Sequence, residues 1–193
     1  WMRGEDGFKL FATYPICRWS GRLGPKLKEG DRQSPEGIYT VRQKQLNANS
    51  RWYKSFNLGY PNIYDKSYSR TGSYLMVHGG CSSIGCYAMT NEVMKEIWEI
   101  VLASYRRGNK IFTVHSFPFR MTARNMRVYN QKKWAPFWQS LKPAYDLFNI
   151  AHVPPKVSIC KKEYQFEEAS KEDNTHAQDL QKHCREMTIG AES

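Results

Sequence analysis

The sequence predicts a mostly β domain with flanking helices, which is an α+β fold. Several short runs of aromatic and β-branched residues lie between turns rich in glycine and proline, as is typical of strands. Two longer segments instead repeat apolar residues at helical spacing. Because strands and helices do not alternate regularly, we do not expect a sheet built from βαβ repeats.

The predicted strands are short and are separated by turns. They cover 7–18 as one or two strands, 38–42, a short stretch near 55–60, 73–78 and 110–119. The strand at 38–42 follows the turn SPEG at 34–37, and its residues alternate along the run. Residues 47–72 are rich in Asn, Ser, Tyr and Gly and are predicted to form a long loop, which inside a domain is often functional.

The clearest predicted helix covers 91–107. Val93, Ile97 and Val101 recur at helical spacing and share one face. Thr90 comes directly before the segment, and its hydroxyl can cap the first turn.

The C-terminal part predicts a second helix followed by a polar tail. Residues 134–150 form the helical segment, which we expect to break or kink at Pro143. We expect one globular domain over 1–165 and a tail over 166–193 that is disordered or loosely helical, because it is charged and weakly periodic. The chain opens on Trp1, so we expect its natural start to be truncated or processed.

The net charge of +11 is concentrated in the globular part of the chain. Residues 1–162 contain 26 basic and 10 acidic side chains, a balance that favours polyanionic partners. Nucleic acid, anionic lipid and anionic cell-wall polymer all fit this charge, and so does a solvated basic surface. No signature of a nucleic-acid-binding fold accompanies it, so we expect no nucleic-acid partner. No apolar run approaches the roughly 20 residues of a membrane span, so we expect no transmembrane segment.

One histidine and two cysteines are crowded into the stretch HGGCSSIGC, from His78 to Cys86. His78, Cys81 and Cys86 can hold a metal ion whose fourth ligand is His115 or His152, although their spacing is irregular for structural zinc. Alternatively, Cys81 and Cys86 can form a disulfide that closes a small loop. The third possibility is a nucleophile with its base.

Local chemistry favours the third possibility without excluding the others. Cys86 follows Gly85, which permits unusual backbone angles and close approach of a substrate. The turn that begins at Ser83 can direct its amides at a developing oxyanion. His78 ends a predicted buried strand, and the carbonyl groups that follow it can orient the ring. A nearby imidazole can take the thiol proton of a cysteine, whose free pKa is about 8.5.

The segment HGGCSSIGCYAMT, at 78–90, resembles the catalytic motif of the L,D-transpeptidase (YkuD-like) domain family, and in particular of its YafK-type branch. Other segments resemble the same branch in the same order. They are GPKLKEGDRQSPEGIY, SFNLGYPNIYD, RTGSYLMVHG, VHSFPFRMT and FWQSLKPAYDLF. The resemblance extends over about residues 7–160, which is most of the predicted globular part.

The resemblance implies a fold and an assignment of roles. The fold is a mixed β-sandwich with a helix beside the catalytic cleft. Cys86 is then the nucleophile and His78 its base, with the carbonyl of Gly79 orienting the imidazole. The amides of Gly85 and Cys86 would form the oxyanion hole, and Ser83 belongs to the same catalytic motif. The resemblance gives Cys81 no role. Cys81 can form a disulfide with another cysteine, tune the reactivity of Cys86 or simply pack in the interior.

The resemblance also implies an activity and a compartment. The enzyme would transfer the acyl group of a peptidoglycan stem peptide, at its meso-diaminopimelate carbonyl, through a thioester on Cys86. An amine acceptor makes it an L,D-transpeptidase. Water makes it an L,D-carboxypeptidase, or an amidase that releases protein from peptidoglycan. A protein acceptor, export to a Gram-negative periplasm and the absence of a metal or cofactor are expected. A non-catalytic cell-wall binding module is the distant alternative.

The chain departs from the wider family near the nucleophile, which leaves the substrate contacts open. Many members carry His where Ile84 stands and Arg where Ala88 stands, and their gap from histidine to cysteine is longer. Arg120 is the candidate replacement, because a guanidinium can bind a carboxylate through two hydrogen bonds. The alternative for Arg120 is a structural salt bridge. Further candidate contacts, which could instead pack under the long loop, are Tyr60, Tyr64, Tyr68, Arg70 and Tyr74.

Overall fold

In the computed structural model, the described residues are 1–4 and 7–169, and they form a mixed α+β fold. The strands are β1 Met2–Gly4, β2 Gly7–Lys9, β3 Gly37–Arg42, β4 Leu46–Asn47, β5 Ser55–Asn57, β6 Met76–His78, β7 Tyr87–Ala88, β8 Ile111–Ser116, β9 Lys156–Cys160 and β10 Glu163–Glu167. The helices are α1 Ile63–Ser67, α2 Asn91–Arg106, α3 Ala123–Tyr129 and α4 Ala135–Ala151. A 3₁₀ turn, Gln43–Gln45, joins β3 to β4. The predicted fold class is confirmed.

The strands are arranged as small sheets, and the sheet that carries the crowded stretch is mixed. Its order is β4-β5-β6-β7, with β6 and β7 parallel and the other neighbours antiparallel. The strand pairs β3–β8, β9–β10 and β1–β2 are antiparallel. The crowded stretch therefore runs from the end of β6 to the start of β7.

Strand β3 lies between two hydrophobic cores because its side chains alternate between its faces. Ile38 packs with α4, β9 and β10, whereas Tyr39 and Val41 pack with β5, β6 and α2. All three side chains are at most 1% exposed. Burial of each side chain of this size contributes about 1.5–3 kcal/mol. The alternation along β3 thus ties the helix α4 layer to the layer that carries the crowded stretch.

Helix α2 forms where it was predicted, ending one residue earlier. The Thr90 side chain accepts a hydrogen bond from the Val93 amide at 3.3 Å, as a cap should. The fully buried face passes through Met94, Trp98 and Val101, while Val93 and Ile97 are partly buried beside it. The capped end of α2 is consequently fixed to the core directly after the crowded stretch.

Helix α4 continues through Pro143, so the chain does not break there, and a kink at this residue stays a prediction. A proline in a helix frees the carbonyl of the fourth residue before it, which here is Gln139. Both residues are exposed, so water can satisfy that carbonyl. Pro136 lies in the first turn, where the missing amide costs nothing.

Several other elements differ from the predictions. Only Gly7–Lys9 of the segment 7–18 forms a strand, and Arg18 adds an isolated bridge to Ala88. The sequence reasoning missed α1, α3 and the β9–β10 hairpin. Strand β10 ends at Glu167, two residues beyond the predicted domain boundary at 165. The predicted tail lies outside the described residues from 170 onward and stays a prediction. Within 1–4 and 7–169, no helix combines the length and apolarity of a membrane span.

A buried ion pair anchors α1 and the turn after it. Arg70 donates to Asp65 at 2.7 Å, and both side chains are almost fully buried. The guanidinium also lies 5.2 Å from the ring centre of Tyr64 and 5.0 Å from that of Phe137. Removing either charge would leave the other one buried without its partner.

We expect Arg70→Met to lower the free energy of unfolding by about 3–5 kcal/mol, because it strands the Asp65 carboxylate. The partly exposed pair of Lys142 with Asp146 provides the matched control. Lys142→Met should cost under about 1 kcal/mol. Urea unfolding of the variants measures both effects. Equal losses in the two variants would show that the buried pair has no special part in the fold.

Candidate active site

The parallel pairing of β6 and β7 puts His78 and Cys86 beside each other. Val77 pairs with Tyr87, and His78 pairs with Ala88. Cys86 directly precedes β7, two positions before Ala88, and its Sγ contacts the Met76 amide of β6. The end of β6 that carries His78 and the residue before β7 are thus brought together, although eight positions separate His78 and Cys86 in the sequence.

The Cys86 thiol lies half-buried directly before β7. Its Sγ accepts a hydrogen bond from the Met76 amide at 3.4 Å and faces the Tyr74 carbonyl at 3.8 Å. Burial raises the pKa of the thiol, while the Met76 amide and the positive charge of Lys26 oppose that rise. Within the described part of the chain, Cys86 is the free cysteine. Since an ordinary cysteine, with a pKa of about 8.5, is mostly a thiol at neutral pH, forming the thiolate requires a base.

The ring of His78 is held in one tautomer. Its Nδ1 lies 2.5 Å from the carbonyl oxygen of Gly79, and the side chain is 3% exposed. A carbonyl only accepts, so Nδ1 carries the proton and Nε2 keeps a lone pair. His78 and Cys86 share no direct hydrogen bond in the described structure. Such contacts are often long without a substrate and tighten when one binds.

Position 79 requires glycine, because other atoms occupy the space that a side chain would take. A Cβ there would lie 2.6 Å from Asn91 Oδ1 and 3.0 Å from the carbonyl oxygens of Trp52 and Tyr53. The Gly79 amide also donates to the Tyr53 carbonyl at 3.2 Å. The carbonyl that orients the imidazole thus belongs to a residue enclosed on several sides.

The turn before Cys86 is fixed by hydroxyl groups. Ser83 Oγ donates to the Cys86 carbonyl at 2.7 Å, and Ser34 Oγ donates to the same oxygen at 3.0 Å. Gly85 has a φ of +114°, which favours glycine at that position. The amides of Gly85 and Cys86, predicted as oxyanion donors, therefore belong to a turn whose backbone is held in place.

Cys81 pairs with Cys17 in a disulfide, with a Cα–Cα distance of 5.3 Å. The alternative of a disulfide between Cys81 and Cys86 was therefore wrong. A bonded sulfur is also not a thiolate ligand, which removes Cys81 from the metal alternative. His115, considered as a fourth ligand, is buried, and burial lowers its pKa to about 4. Among the described residues, no three His, Cys, Asp or Glu side chains group as metal ligands.

Three of the predicted substrate contacts are packed inside the protein. Tyr60 is buried, and its hydroxyl donates to the Lys26 carbonyl at 3.0 Å. Tyr64 stacks on Tyr164 with ring centres 4.2 Å apart, and Arg70 is 7% exposed in its pair with Asp65. Their placement favours packing under the loop, the alternative that the sequence left open.

The other predicted contacts are open to solvent. Tyr74 is 74% exposed, has a φ of +56°, and directs its carbonyl at the Cys86 thiol. A non-glycine residue with that φ is uncommon, and such residues are frequent at ligand sites. Arg120 is exposed and forms no ion pair with a described residue, contrary to its structural alternative. Tyr68 is half exposed, and its ring is tilted by 45° against that of Tyr64 with ring centres 5.0 Å apart.

The sequence reasoning missed four residues that contact the site. Ser34 bonds the Cys86 carbonyl, and Asn91 bonds the Gly80 amide at 2.9 Å. The ring of Trp52 lies 5.9 Å from that of His78, and the charge of Lys26 acts on the thiol. Ser34, Trp52 and Lys26 lie in segments distant from the crowded stretch, so no local pattern indicates that they reach the site. Only Asn91 lies close to it in the sequence, directly after the Thr90 cap.

Comparisons with known proteins agree with the family resemblance of the sequence. Residues 6–129 match the family described as the L,D-transpeptidase catalytic domain. Over 164 residues the chain is 45% identical to "Putative L,D-transpeptidase YafK" from Escherichia coli K12, and equally to its counterpart in O157:H7. Each match covers 85% of this chain and 67% of the relative.

Solved structures of the helical cell shape determining protein Pgp2 from Campylobacter jejuni are also similar. The wild-type structure has a TM-score of 0.44 and 21% identity, and the match covers 67% of this chain. The K307A mutant has a TM-score of 0.44 and 20% identity. This chain spans about half the length of Pgp2, since the match covers 48% of it.

We expect Gly79→Ala to slow alkylation of Cys86 at neutral pH about tenfold or more, because the new methyl group displaces the carbonyl that orients His78. Gly4→Ala is the control, since it also replaces a glycine, its Cβ position meets no atom closer than 3.7 Å, and its backbone has no positive φ. Iodoacetamide labelling with peptide mass analysis measures the rate. An unchanged rate in Gly79→Ala would contradict the role of that carbonyl.

The disulfide should stabilise the protein substantially, because it joins residues 64 positions apart. We expect the double variant Cys17→Ser, Cys81→Ser to lose about 4 kcal/mol of unfolding free energy. Cys86→Ser, which keeps the disulfide, serves as the control in urea unfolding. A double variant as stable as the control would show that the bond contributes nothing.

Proposed function

Since this chain belongs to the family of L,D-transpeptidase catalytic domains, we propose that it transfers acyl groups of peptidoglycan stem peptides through a thioester on Cys86. One observation carries the proposal. The imidazole of His78 is fixed through Nδ1 with Nε2 available, on the strand beside the half-buried Cys86 thiol. A nucleophile paired with an oriented base is the arrangement that covalent acyl transfer requires.

In the first step, the thiol proton passes to His78 Nε2 and the Cys86 sulfur attacks the carbonyl of the meso-diaminopimelate residue. The amides of Gly85 and Cys86 donate to the oxyanion that develops. The tetrahedral species then expels the amine of the following residue, which takes the proton from His78. The products of this step are a thioester on Cys86 and a free amine.

In the second step, an acceptor amine attacks the thioester and restores the Cys86 thiol. An amine of another stem peptide gives a crosslink, and an amine of a protein gives a protein attachment. Water as the acceptor gives an L,D-carboxypeptidase, or an amidase if the cleaved amine belonged to an attached protein. The half-buried Cys86 thiol is partly open to solvent, so water can reach it. Hydrolysis is therefore the second candidate activity.

The charge of the domain supports an anionic substrate. Residues 1–162 carry 26 basic and 10 acidic side chains, and stem peptides present carboxylates. Arg120, exposed and without an ion pair among the described residues, is the proposed carboxylate contact. Tyr74 is the proposed wall of the cleft, because its exposed ring precedes the strand that supplies His78.

The disulfide supports a location outside the cytoplasm. Such bonds form and persist in oxidising compartments, and the bacterial periplasm is one of them. Peptidoglycan is reached from the same compartment. We therefore propose that the protein acts in the periplasm of a Gram-negative bacterium.

Purified tetrapeptide muropeptides, followed by mass spectrometry, test the proposal. We expect loss of the terminal D-alanine, with joined muropeptides for transfer or with water uptake for hydrolysis. Cys86→Ala should reduce product to background, because no other described thiol is free to replace it. Cys86→Ser keeps the shape of the side chain and should also be strongly impaired, since its hydroxyl ionises far less readily.

A protein-linked muropeptide should be tested as a second substrate, with release of the protein as the readout. Full turnover by Cys86→Ala would overturn the mechanism. A binding module without catalysis would instead retain muropeptides and release no product from either substrate.

A further inference from the structure

We propose that Asn91 is a positioning residue for the catalytic histidine, because its side-chain oxygen fixes the Gly79–Gly80 turn whose carbonyl orients His78. The inference rests on the proposed pairing of His78 with Cys86. It assigns a role to a side chain that does not itself meet the reacting atoms.

One oxygen atom of Asn91 contacts both residues of this turn. Oδ1 accepts a hydrogen bond from the Gly80 amide at 2.9 Å. The same atom lies 2.6 Å from the position that a Cβ of Gly79 would take. It is thus placed against the peptide unit between Gly79 and Gly80, and that unit contains the carbonyl bonded to His78 Nδ1.

Asn91 is held by a rigid element. It is the first residue of α2, whose Thr90 cap and fully buried Met94 fix the start of the helix. Met89, the residue before the cap, forms hydrogen bonds on both sides of the Gly79–Gly80 turn. The Met89 amide donates to the His78 carbonyl at 2.7 Å, and the Met89 carbonyl accepts from the Cys81 amide at 3.1 Å.

The turn needs such a contact because of its composition. Glycine has more backbone freedom than any other residue, and two glycines in sequence leave the Gly79 carbonyl free to rotate unless other groups restrain it. Tyr53 restrains the amide side of Gly79 through its carbonyl. Asn91 restrains the carbonyl side, which is the side that determines the orientation of the imidazole.

A purely structural role for Asn91 in α2 predicts a different outcome. Alanine is a better helix former than asparagine, so Asn91→Ala should not weaken the helix. Asn91→Asp keeps an oxygen acceptor at the same place. Glu92→Gln changes the neighbouring exposed residue of the first turn and leaves the contact with Gly80 intact.

The test measures the rate of iodoacetamide alkylation at Cys86 against pH, by mass analysis of the peptide that contains it. Thiolate reacts and thiol does not, so the profile reports proton transfer to the base without any substrate. His78→Ala defines the profile without the base. We expect Asn91→Ala to react about tenfold more slowly than wild type at neutral pH, with its profile moved toward that of His78→Ala. Asn91→Asp and Glu92→Gln should follow wild type.

Two results would overturn the role of Asn91 alone. One is an Asn91→Ala profile that coincides with wild type while His78→Ala is shifted. The other is an Asn91→Asp profile as impaired as that of Asn91→Ala, which would show that the oxygen acceptor is not what matters. If His78→Ala itself reacts like wild type, the pairing of His78 with Cys86 fails, and the proposed mechanism fails with it.

Discussion

The parallel pairing of β6 with β7 across a connection of only eight residues constrains the whole site. Parallel neighbours usually need a crossover of a dozen or more residues. Here the chain leaves His78, reverses twice and enters β7 directly after Cys86. Positive φ angles of 84°, 51° and 114° at Gly80, Cys81 and Gly85 make these reversals possible. The same path places Cys86 directly before the strand that pairs with His78.

Contacts from distant segments keep this short connection in one shape. Cys17 holds it covalently, Tyr53 holds Gly79, and Ser34 holds the Cys86 carbonyl. A glycine-rich loop alone would sample many conformations at a large entropic cost. The rest of the domain therefore restricts this loop, and the position of Cys86 depends on contacts with segments far from it in the sequence.

The sequence predicted elements whose cause is local. Helix α2 was predicted because its apolar spacing and the Thr90 cap lie within one short stretch. The roles proposed for His78 and Cys86 likewise rest on a motif contained in 78–90. Helices α1 and α3, of five and seven residues, are too short for a periodic pattern to show. The helix does not break at Pro143, because the carbonyl that the proline frees is exposed to water. The partner of Cys81 is 64 positions away, and no local pattern encodes such a contact.

Substrate contacts were the least predictable part of the site. Tyr64 and Arg70 have the residue types of a binding loop, but Asp65 and the aromatic rings around them place both inside the protein. Their polarity alone did not reveal that burial. Tyr74 and Arg120 have similar chemistry and remain exposed, because nothing described in the fold pairs with their side chains.

The covalent intermediate tests the central claim most directly. Intact-mass spectrometry of the protein, quenched in acid soon after mixing with a tetrapeptide muropeptide, should show an added mass equal to the donor without its terminal D-alanine. Peptide mapping should place that mass on Cys86. Turnover of the same substrate with no adduct at Cys86, or with the adduct on another residue, would contradict the account.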